Sequence, residues 1–271
     1  MDEHEFRELI WAKGGALYRD MPWRDQPTLY YVLVSELMLQ QTQVSRVLVK
    51  FAEFTKAFPD VESLARADLA DVLRSWQGLG YNRRAKFLHQ AAQLIAAKPA
   101  AFAAGQQTEL LERQLATLPG VGPGTRGALL NYVYEIPTAY VETNIRTVYF
   151  HHWYADRQDV TDRELLEIVD RTMDRTQPRE WFWALMDYGT ELKRTHGARL
   201  SQSKHYKKQS PLEGSVRQVR GQLIARLTAG SLGCDELENE YVADERLAPA
   251  VSGLIRDGLI TRRAGRLYLT K

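Results

Sequence analysis

Apolar residues recur three and four positions apart along most of the chain, the spacing that places them on one face of an α-helix. In the first 200 residues this spacing predicts helices at 5–18, 29–58, 61–67, 69–77, 83–96, 108–115, 125–134, 144–153, 162–173 and 180–188. The stretch 29–58 is expected to hold two helices with a break at 40–43. Because no segment of strand length alternates in this region, the pattern predicts an all-α fold.

The pattern changes after Pro211. Helices are predicted at 215–227, 234–241 and 245–256, and residues 258–270 alternate around a glycine turn, as a β-hairpin does. Three helices and a two-stranded wing predict a winged helix. Such a module binds DNA through its third helix and wing, or serves as a protein-contact module, and the sequence leaves both open.

These changes of pattern divide the chain into five parts. We predict an N-terminal helix at 1–19 that packs with a second lobe, a six-helix lobe at 20–136, the second helical lobe at 137–200, a basic linker at 201–210 and a winged helix at 211–271. The whole stretch 193–210 is polar and basic, and it is expected to form a linker or a surface arm.

Composition limits the classes of protein that fit. With 271 residues and 44% hydrophobic content, the chain is long enough for more than one core. Its net charge of +2 means that any nucleic-acid-binding surface must be local, and a single cysteine excludes a disulfide framework. No run is apolar enough to span a bilayer, and the N-terminus is acidic rather than signal-like. We expect an intracellular, cytoplasmic protein without membrane contact.

Residues 118–125, LPGVGPGT, join two predicted helices and hold three glycines and two prolines. Glycines permit positive φ, so backbone N–H groups can approach a ligand closely, and the N-terminus of the next helix suits a phosphate. The stretch indicates a helix-hairpin-helix that grips a nucleic-acid backbone, and an ordinary joint between helices is the alternative. Thr108 is expected to cap the preceding helix, whose apolar face is formed by Leu110, Leu111 and Leu115.

One carboxylate, Glu36, lies within the apolar run at 30–39. Burial there is expected to raise its pKa, which suits a general acid that works near neutral pH. The alternative is that Glu36 faces solvent at the edge of its helix.

Four segments carry a resemblance to a known family: SELMLQQTQV at 35–44, WQGLGYNRRAKFLHQAA at 76–92, LPGVGPGT at 118–125 and VETNIRTV at 141–148. In this order they resemble the endonuclease III superfamily of helix-hairpin-helix DNA glycosylases. The adenine DNA glycosylases of the MutY type are the most similar branch. The similarity runs from about Trp23 to Gly189.

The resemblance implies roles for individual residues. Glu36 matches the general acid that protonates the expelled adenine. Glu142 stands where the family has its second catalytic carboxylate, normally an aspartate, and Asn144 matches the asparagine beside it. The alternative for Glu142 is that its charge only favours the N-terminus of the following helix. The residues implied to contact DNA are Gln41, Thr42 and Tyr81, beside the flipped base and the opposite strand, and Leu118, Gly120, Val121, Gly122, Gly124 and Thr125, in the hairpin.

The resemblance also bears on cofactors. The family's hairpin often holds a monovalent cation, which here would lie on the backbone of Leu118 and Val121, and we expect no other metal. The family's iron–sulfur cluster uses four cysteines, but Lys193 and Leu200 stand where the first two should fall, so we expect no cluster. The residues that could replace its electrostatic role are Lys193, Arg194, Arg199, Lys204, Lys207 and Lys208, and a merely solvated linker is the alternative.

Two further differences between this sequence and the family pattern bear on the expected activity. Gly124 stands where bifunctional relatives place a lysine nucleophile, so no Schiff base can form there and no strand-cleaving lyase activity is expected. The tail after Pro211 is too short for the family's 8-oxoguanine-recognition domain. The resemblance implies a monofunctional glycosylase of base excision repair that acts on double-stranded DNA, with adenine mispaired with 8-oxoguanine or guanine as the favoured target base. Such a glycosylase is also expected to be monomeric and nucleoid-associated. The alternatives are another target base, such as uracil or thymine opposite guanine or a damaged purine, and a non-catalytic DNA-structure binder.

Overall fold

A computed structural model describes residues 1–204 and 209–271, and nearly all regular structure in them is helical. The helices are α1 (Glu3–Leu17), α2 (Pro22–Asp25), α3 (Leu29–Leu39), α4 (Val44–Ala57), α5 (Val61–Arg66), α6 (Leu69–Ser75), α7 (Arg83–Ala97), α8 (Thr108–Ala116), α9 (Pro123–Tyr132), α10 (Thr143–His152), α11 (Asp162–Thr172), α12 (Pro178–His196), α13 (Val216–Leu227), α14 (Cys234–Glu240) and α15 (Leu247–Arg256). The strands are β1 (Leu232–Gly233), β2 (Ile260–Arg263) and β3 (Arg266–Leu269). In the described part of the chain, no helix has the length and hydropathy needed to cross a membrane.

The chain forms two compact units that are discontinuous in sequence. The first unit comprises Met1–Leu33, Ala104–Thr117 and Val121–Lys208, and the second comprises Val34–Ala103, Leu118–Gly120 and Gln209–Lys271. The chain passes from one unit to the other within α3 and within the hairpin at 118–125. These units differ from the five domains expected from the sequence, whose boundaries stay a prediction.

The first unit is built around α12, against which α1 and α10 pack. Phe6, Tyr149 and Trp181 are fully buried there. Asp187 of α12 accepts bonds from both terminal nitrogens of Arg24, at 2.7 and 2.9 Å, in a buried ion pair. Because the removal of either partner would leave a buried charge, this pair fixes α2 to α12.

The helical part of the second unit comprises the last turns of α3 and helices α4–α7. The aromatic side chains of Phe51, Phe54 and Trp76 fill its core. Phe54 packs edge-on against Trp76, with ring centroids 5.8 Å apart. Helix α5 packs along α7, so α7 forms the inner wall of this group.

Residues 209–271 belong to the same unit and form a C-terminal module in the order α13, β1, α14, α15, β2, β3. The sheet is antiparallel with strand order β1-β3-β2, and Leu223, Leu254 and Leu267 are buried beneath it. The three helices and the hairpin lie within two residues of the predicted ranges, whereas β1 was not predicted. The assignment of this module as a winged helix stays a prediction.

Most predicted helices of the first 200 residues are present, including the break between α3 and α4. The predicted cap by Thr108 is wrong, because Gln107 precedes the helix and makes no capping bond. On that helix, Leu111 and Leu115 are buried as expected, but Leu110 is 37% exposed.

The predicted linker at 193–210 begins with ordered structure instead. Helix α12 continues to His196, and Gln202 is buried because its amide donates to the carbonyl oxygens of Tyr154, Ala155 and Arg157. The polar sequence hid this turn, since hydrogen bonds rather than apolar burial hold it in place: the Val160 N–H also donates to the Gln202 carbonyl oxygen, and the Lys204 N–H to the Val160 carbonyl oxygen. Lys207 and Lys208 lie outside the described residues.

Candidate active site

Glu36 lies in the third turn of α3, in the part of that helix that belongs to the second unit. Its neighbours Ser35, Leu37 and Met38 are fully buried, whereas Glu36 itself is half-buried. The carboxylate therefore lies where an apolar surface meets solvent. A carboxyl group in such a place can reach a ligand and is only partly hydrated, which is the setting that a general acid needs.

Glu142 precedes α10 in the first unit and caps that helix. Its Oε1 accepts hydrogen bonds from the backbone N–H of Asn144 at 2.5 Å and of Ile145 at 2.9 Å. These bonds bear out the role at the helix N-terminus that was the alternative for Glu142, and its catalytic role stays a prediction. Burial raises the pKa of Glu142, although the backbone N–H groups and the charge of Lys193 act in the opposite direction. The backbone bonds therefore fix the carboxylate in position, while burial favours its protonated form.

Asn144 lies in the first turn of α10 and packs against α12. Its side-chain amide contacts the Met186 sulfur at 4.0 Å. A Cβ on Gly189 would lie 2.3 Å from the Asn144 carbonyl oxygen, so only glycine permits this close approach of the two helices. The packing fixes the start of α10, and with it the Glu142 carboxylate.

The structure places the two candidate catalytic acids in different units, Glu36 in the second and Glu142 in the first. The expectation that they face each other stays a prediction. Five of the candidate DNA-contacting residues belong to the same unit as Glu36: Gln41, Thr42, Tyr81, Leu118 and Gly120. Thr42 and Tyr81 are drawn together by Arg84, which donates to the Thr42 hydroxyl at 3.2 Å and stacks 5.5 Å from the Tyr81 ring centre.

Arg84, which the sequence did not indicate, holds Thr42 and Tyr81 in place. Its guanidinium is buried and donates to the carbonyl oxygens that end α3 and shape the following loops: those of Leu37, Met38, Gln40, Leu79 and Gly80, at 2.6–3.1 Å. Burial lowers the pKa of Arg84 to about 10. It shares a helical face with buried Leu88 and Ile95, four and eleven positions on, and this spacing could have marked it as an inward-facing cation.

The first half of the hairpin is anchored within the second unit. Gly120 has a φ of +81° and lies so close to α3 that a Cβ would be 2.9 Å from Leu37 Cδ2. Its carbonyl oxygen accepts a long hydrogen bond from the Gln40 side chain at 3.5 Å. Both the backbone angle and the close packing require glycine here.

The second half of the hairpin forms the start of α9 in the first unit. Gly122 is exposed and precedes the helix, Pro123 occupies its first position, and no side chain caps it. The first-turn N–H groups of a helix lack partners within the helix, so this end can accept an anion. A Cβ on Gly124 would lie 3.8 Å from the carbonyl oxygen of Val141, the residue before Glu142. There is room at position 124 for a side chain beside the Glu142 segment.

The side chains that could hold a metal ion or an iron–sulfur cluster are few in this protein. In the described ranges, no group of three or more histidine, cysteine, aspartate or glutamate side chains could hold a metal ion. Cys234, the only cysteine of the chain, is buried at the start of α14. One thiol does not fit an iron–sulfur cluster that needs four ligands.

Solved structures of DNA repair enzymes share this fold. A thermostable thymine-DNA glycosylase superposes with a TM-score of 0.60 over 75% of this chain and 96% of its own, at 19% sequence identity. A non-covalent endonuclease III–DNA complex superposes with a TM-score of 0.54 over 78% of this chain and 90% of its own, at 15% identity. At these identities the likeness concerns the fold alone.

Curated relatives share a higher sequence identity with this chain than these solved structures do. The adenine DNA glycosylase of Mycobacterium tuberculosis is 32% identical over 96% of this chain and 91% of its own length, and that of Mycolicibacterium smegmatis is 32% identical over 93% and 91%. The family model of the HhH-GPD superfamily base excision DNA repair proteins matches residues 34–171, which include Glu36, the hairpin and Glu142. The chain belongs to the HhH-GPD superfamily of base excision DNA repair proteins.

Proposed function

We propose that this protein is a DNA glycosylase that removes adenine mispaired with 8-oxoguanine or guanine from double-stranded DNA. The observation that carries the proposal is the placement of Glu36 as the one acidic side chain of α3, half-buried between fully buried neighbours. An acid in that position can protonate a base that has been flipped out of the duplex.

In the proposed reaction, Glu36 gives its proton to a ring nitrogen of the flipped adenine. The N-glycosidic bond then breaks, and its electron pair leaves with the neutral base. Glu142 as a carboxylate stabilises the cationic sugar that remains, and it accepts a proton from the water that adds at C1′ to give an abasic site. The division between one protonated and one ionised carboxyl group resembles that of glycoside hydrolysis.

Adenine is favoured over other bases by the relatives rather than by the fold. The mycobacterial proteins named adenine DNA glycosylase align with 96% and 93% of this chain, so the aligned region extends well into the C-terminal module. They also align over 91% of their own length. This likeness over most of both chains supports an adenine substrate.

The hairpin would anchor the DNA backbone without base selection. The exposed N-terminus of α9 at Gly122 supplies N–H donors and a positive dipole end for a phosphate. A monovalent cation on the backbone carbonyls of Leu118 and Val121 is part of this proposal, although no catalytic step depends on it. Gly124 offers no amine for a Schiff base, so base removal would be hydrolytic.

The experiment is a panel of duplexes with single mispairs, incubated with the purified protein and then treated with alkali to cleave abasic sites. We expect alkali-dependent cleavage at adenine opposite 8-oxoguanine and opposite guanine, and no cleavage at adenine opposite thymine. Cleavage only at another base would refute the adenine assignment. Binding without base release on any duplex would favour a DNA-structure binder, and a strand break before alkali would refute the hydrolytic mechanism.

A further inference from the structure

The last turn of α3, residues 36–39, carries Glu36. A helix leaves its last four carbonyl groups without partners inside the helix, so those of this turn need donors from outside it. Arg84 of α7 supplies donors for two of them, because it bonds to the carbonyl oxygens of Leu37 at 2.7 Å and Met38 at 2.8 Å. A side chain from another helix therefore holds the turn on which Glu36 lies.

The two terminal nitrogens of the Arg84 guanidinium bond to two different segments. One nitrogen donates at 2.6–2.8 Å to three carbonyl oxygens at the end of α3, those of Leu37, Met38 and Gln40. The other nitrogen donates at 2.9–3.2 Å to three acceptors beyond that helix, the carbonyl oxygens of Leu79 and Gly80 and the hydroxyl of Thr42. Because a guanidinium is flat and rigid, it fixes the separation between the end of α3 and the loop that precedes α7.

Aromatic rings hold the guanidinium itself in place. It lies 5.6 Å from the ring centre of Trp76 and 5.5 Å from that of Tyr81. Arg84 is buried, and in the described part of the chain it forms no ion pair with a carboxylate. Since a buried charge lowers stability unless it is paired, this placement of Arg84 indicates a role beyond packing.

The hairpin contacts the same end of α3. A Cβ on Gly120 would lie 2.9 Å from Leu37 Cδ2, and the Gln40 side chain donates to the Gly120 carbonyl oxygen at 3.5 Å. A displacement of this turn would therefore move Glu36 relative to the groups that are predicted to hold DNA. Arg84 bonds directly to the turn and limits such a displacement.

We propose that Arg84 is a positioning residue for base release, which holds the last turn of α3 so that the Glu36 carboxyl group can protonate a flipped base. The inference rests on the proposed function, in which Glu36 is the proton donor. Proton transfer depends on placement, and a shift of a reacting group by about 1 Å can cost about 10²-fold in rate. Arg84 transfers no proton itself, and its effect on the reaction passes through Glu36.

The first test is Arg84→Lys. Lysine keeps the charge, but its single nitrogen can bond to α3 or to the loop before α7 and not to both. Single-turnover release of adenine opposite guanine should be about 10- to 100-fold slower. The Kd for a duplex with a non-hydrolysable adenine nucleotide should stay within about threefold, because phosphate contacts dominate DNA affinity.

The matched control is Arg7→Lys. Arg7 also bonds to the end of a helix, since it donates to the last two carbonyl oxygens of α11, those of Arg171 at 2.8 Å and Thr172 at 2.9 Å. It belongs to the first unit and has no bond to α3. We expect Arg7→Lys to release adenine at the wild-type rate. A wild-type rate in Arg84→Lys, or an equal loss in Arg7→Lys, would overturn the proposal.

The second test is a double-mutant cycle with Glu36. If Arg84 acts through the Glu36 acid, its replacement should cost nothing more once that acid is gone. The double variant Glu36→Gln/Arg84→Lys should then release adenine at a rate within about twofold of Glu36→Gln alone. If Arg84 only stabilised the fold or the DNA-contacting loop, the two losses would multiply, and the inference would be wrong.

The third test compares two bases on one preparation of Arg84→Lys. Adenine methylated at N7 already carries a positive charge and leaves without a general acid. After correction for spontaneous loss, Arg84→Lys should release this base at a rate within about threefold of the wild type while it releases unmodified adenine slowly. An unfolded fraction of the variant would slow both bases alike, so the ratio of the two rates reports the placement of the acid. Equal slowing of both bases would refute the inference.

The failure of the inference and that of the proposed function give different results. A wild type that released no base from any duplex would refute the proposed function and the inference with it. An active wild type, combined with losses that multiply in the double variant or with equal slowing of both bases, would refute the inference and leave the proposed function standing.

Discussion

Glu36 and Glu142 are the same side chain in two different settings. Glu36 projects from the third turn of an apolar helix, half-buried among fully buried neighbours. Glu142 precedes a helix, and its carboxylate accepts N–H bonds from Asn144 and Ile145. Only Glu142 is fixed by the end of a helix, where the dipole favours a negative charge.

The difference supports the proposed assignment of the two acids to the two steps of the reaction. In the proposed reaction Glu36 is the acid, because its half-buried carboxyl group lies at the edge of an apolar surface where it can reach a base. A carboxylate fixed by backbone donors is preorganised to stabilise positive charge that develops beside it. Since burial also raises the pKa of Glu142, its ionised form should predominate only above the pH at which an ordinary glutamate ionises.

The largest effect is expected for Glu36→Gln. The amide keeps the size of the side chain but cannot donate a proton to a base as a carboxylic acid does, so adenine release should fall by about 10²- to 10⁴-fold. Stability should change by less than about 0.5 kcal/mol, because the residue is only half-buried. Single-turnover base release and thermal unfolding would measure both quantities. Full activity in a folded Glu36→Gln variant would refute its role as the acid.

A smaller effect is expected for Glu142→Gln, because the amide oxygen can still accept the N–H bonds of α10 while the charge is lost. Adenine release should fall by about 10²- to 10³-fold with little change in melting temperature. Glu142→Asp is the control, since it keeps the charge and aspartate is a good helix cap, and it should retain activity within about tenfold of the wild type. If Glu142→Gln were as active as Glu142→Asp, the residue would be a helix cap alone.

The smallest expected effect is the pH dependence of base release and of stability. Because burial raises the pKa of Glu142 above the ordinary value of 4.5, its carboxylate is lost already at moderately acidic pH. The rate of base release should therefore decline as the pH falls through this raised pKa, and Glu142→Gln should lack that decline. The free energy of unfolding should change in the opposite direction. Because the fold favours the protonated form of Glu142, its ionisation reduces stability as the pH rises from 4.5 through the raised pKa. Pre-steady-state rates and unfolding free energies at several pH values would measure both trends.

The sequence predicted the helical fold well because the apolar spacing of each long helix is clear. For Glu142, a favourable charge at the start of the next helix was only the alternative to catalysis, and the structure shows its carboxylate capping α10. It did not predict the burial of Arg84 or Gln202, because their partners are carbonyl oxygens, which every residue carries. Which carbonyl groups converge on one side chain depends on the tertiary structure.

In the C-terminal module, too, the local elements could be predicted from the sequence but the tertiary contacts could not. Its helices and hairpin were predicted from local patterns, but its contact with α7 depends on Lys86 and Asp257, which are 171 positions apart. Neither residue is unusual in its local sequence. No local motif could therefore have indicated that the module packs against α7.

The most direct test of the division of labour between the two acids uses a base that needs no proton. Adenine methylated at N7 already carries a positive charge, so its departure from the sugar does not require a general acid. Single-turnover release of this base and of unmodified adenine, each opposite guanine and corrected for spontaneous loss, would be compared for Glu36→Gln and Glu142→Gln. The account predicts that the charged base restores most of the activity of Glu36→Gln and leaves Glu142→Gln impaired. Equal restoration of both variants, or of neither, would contradict it.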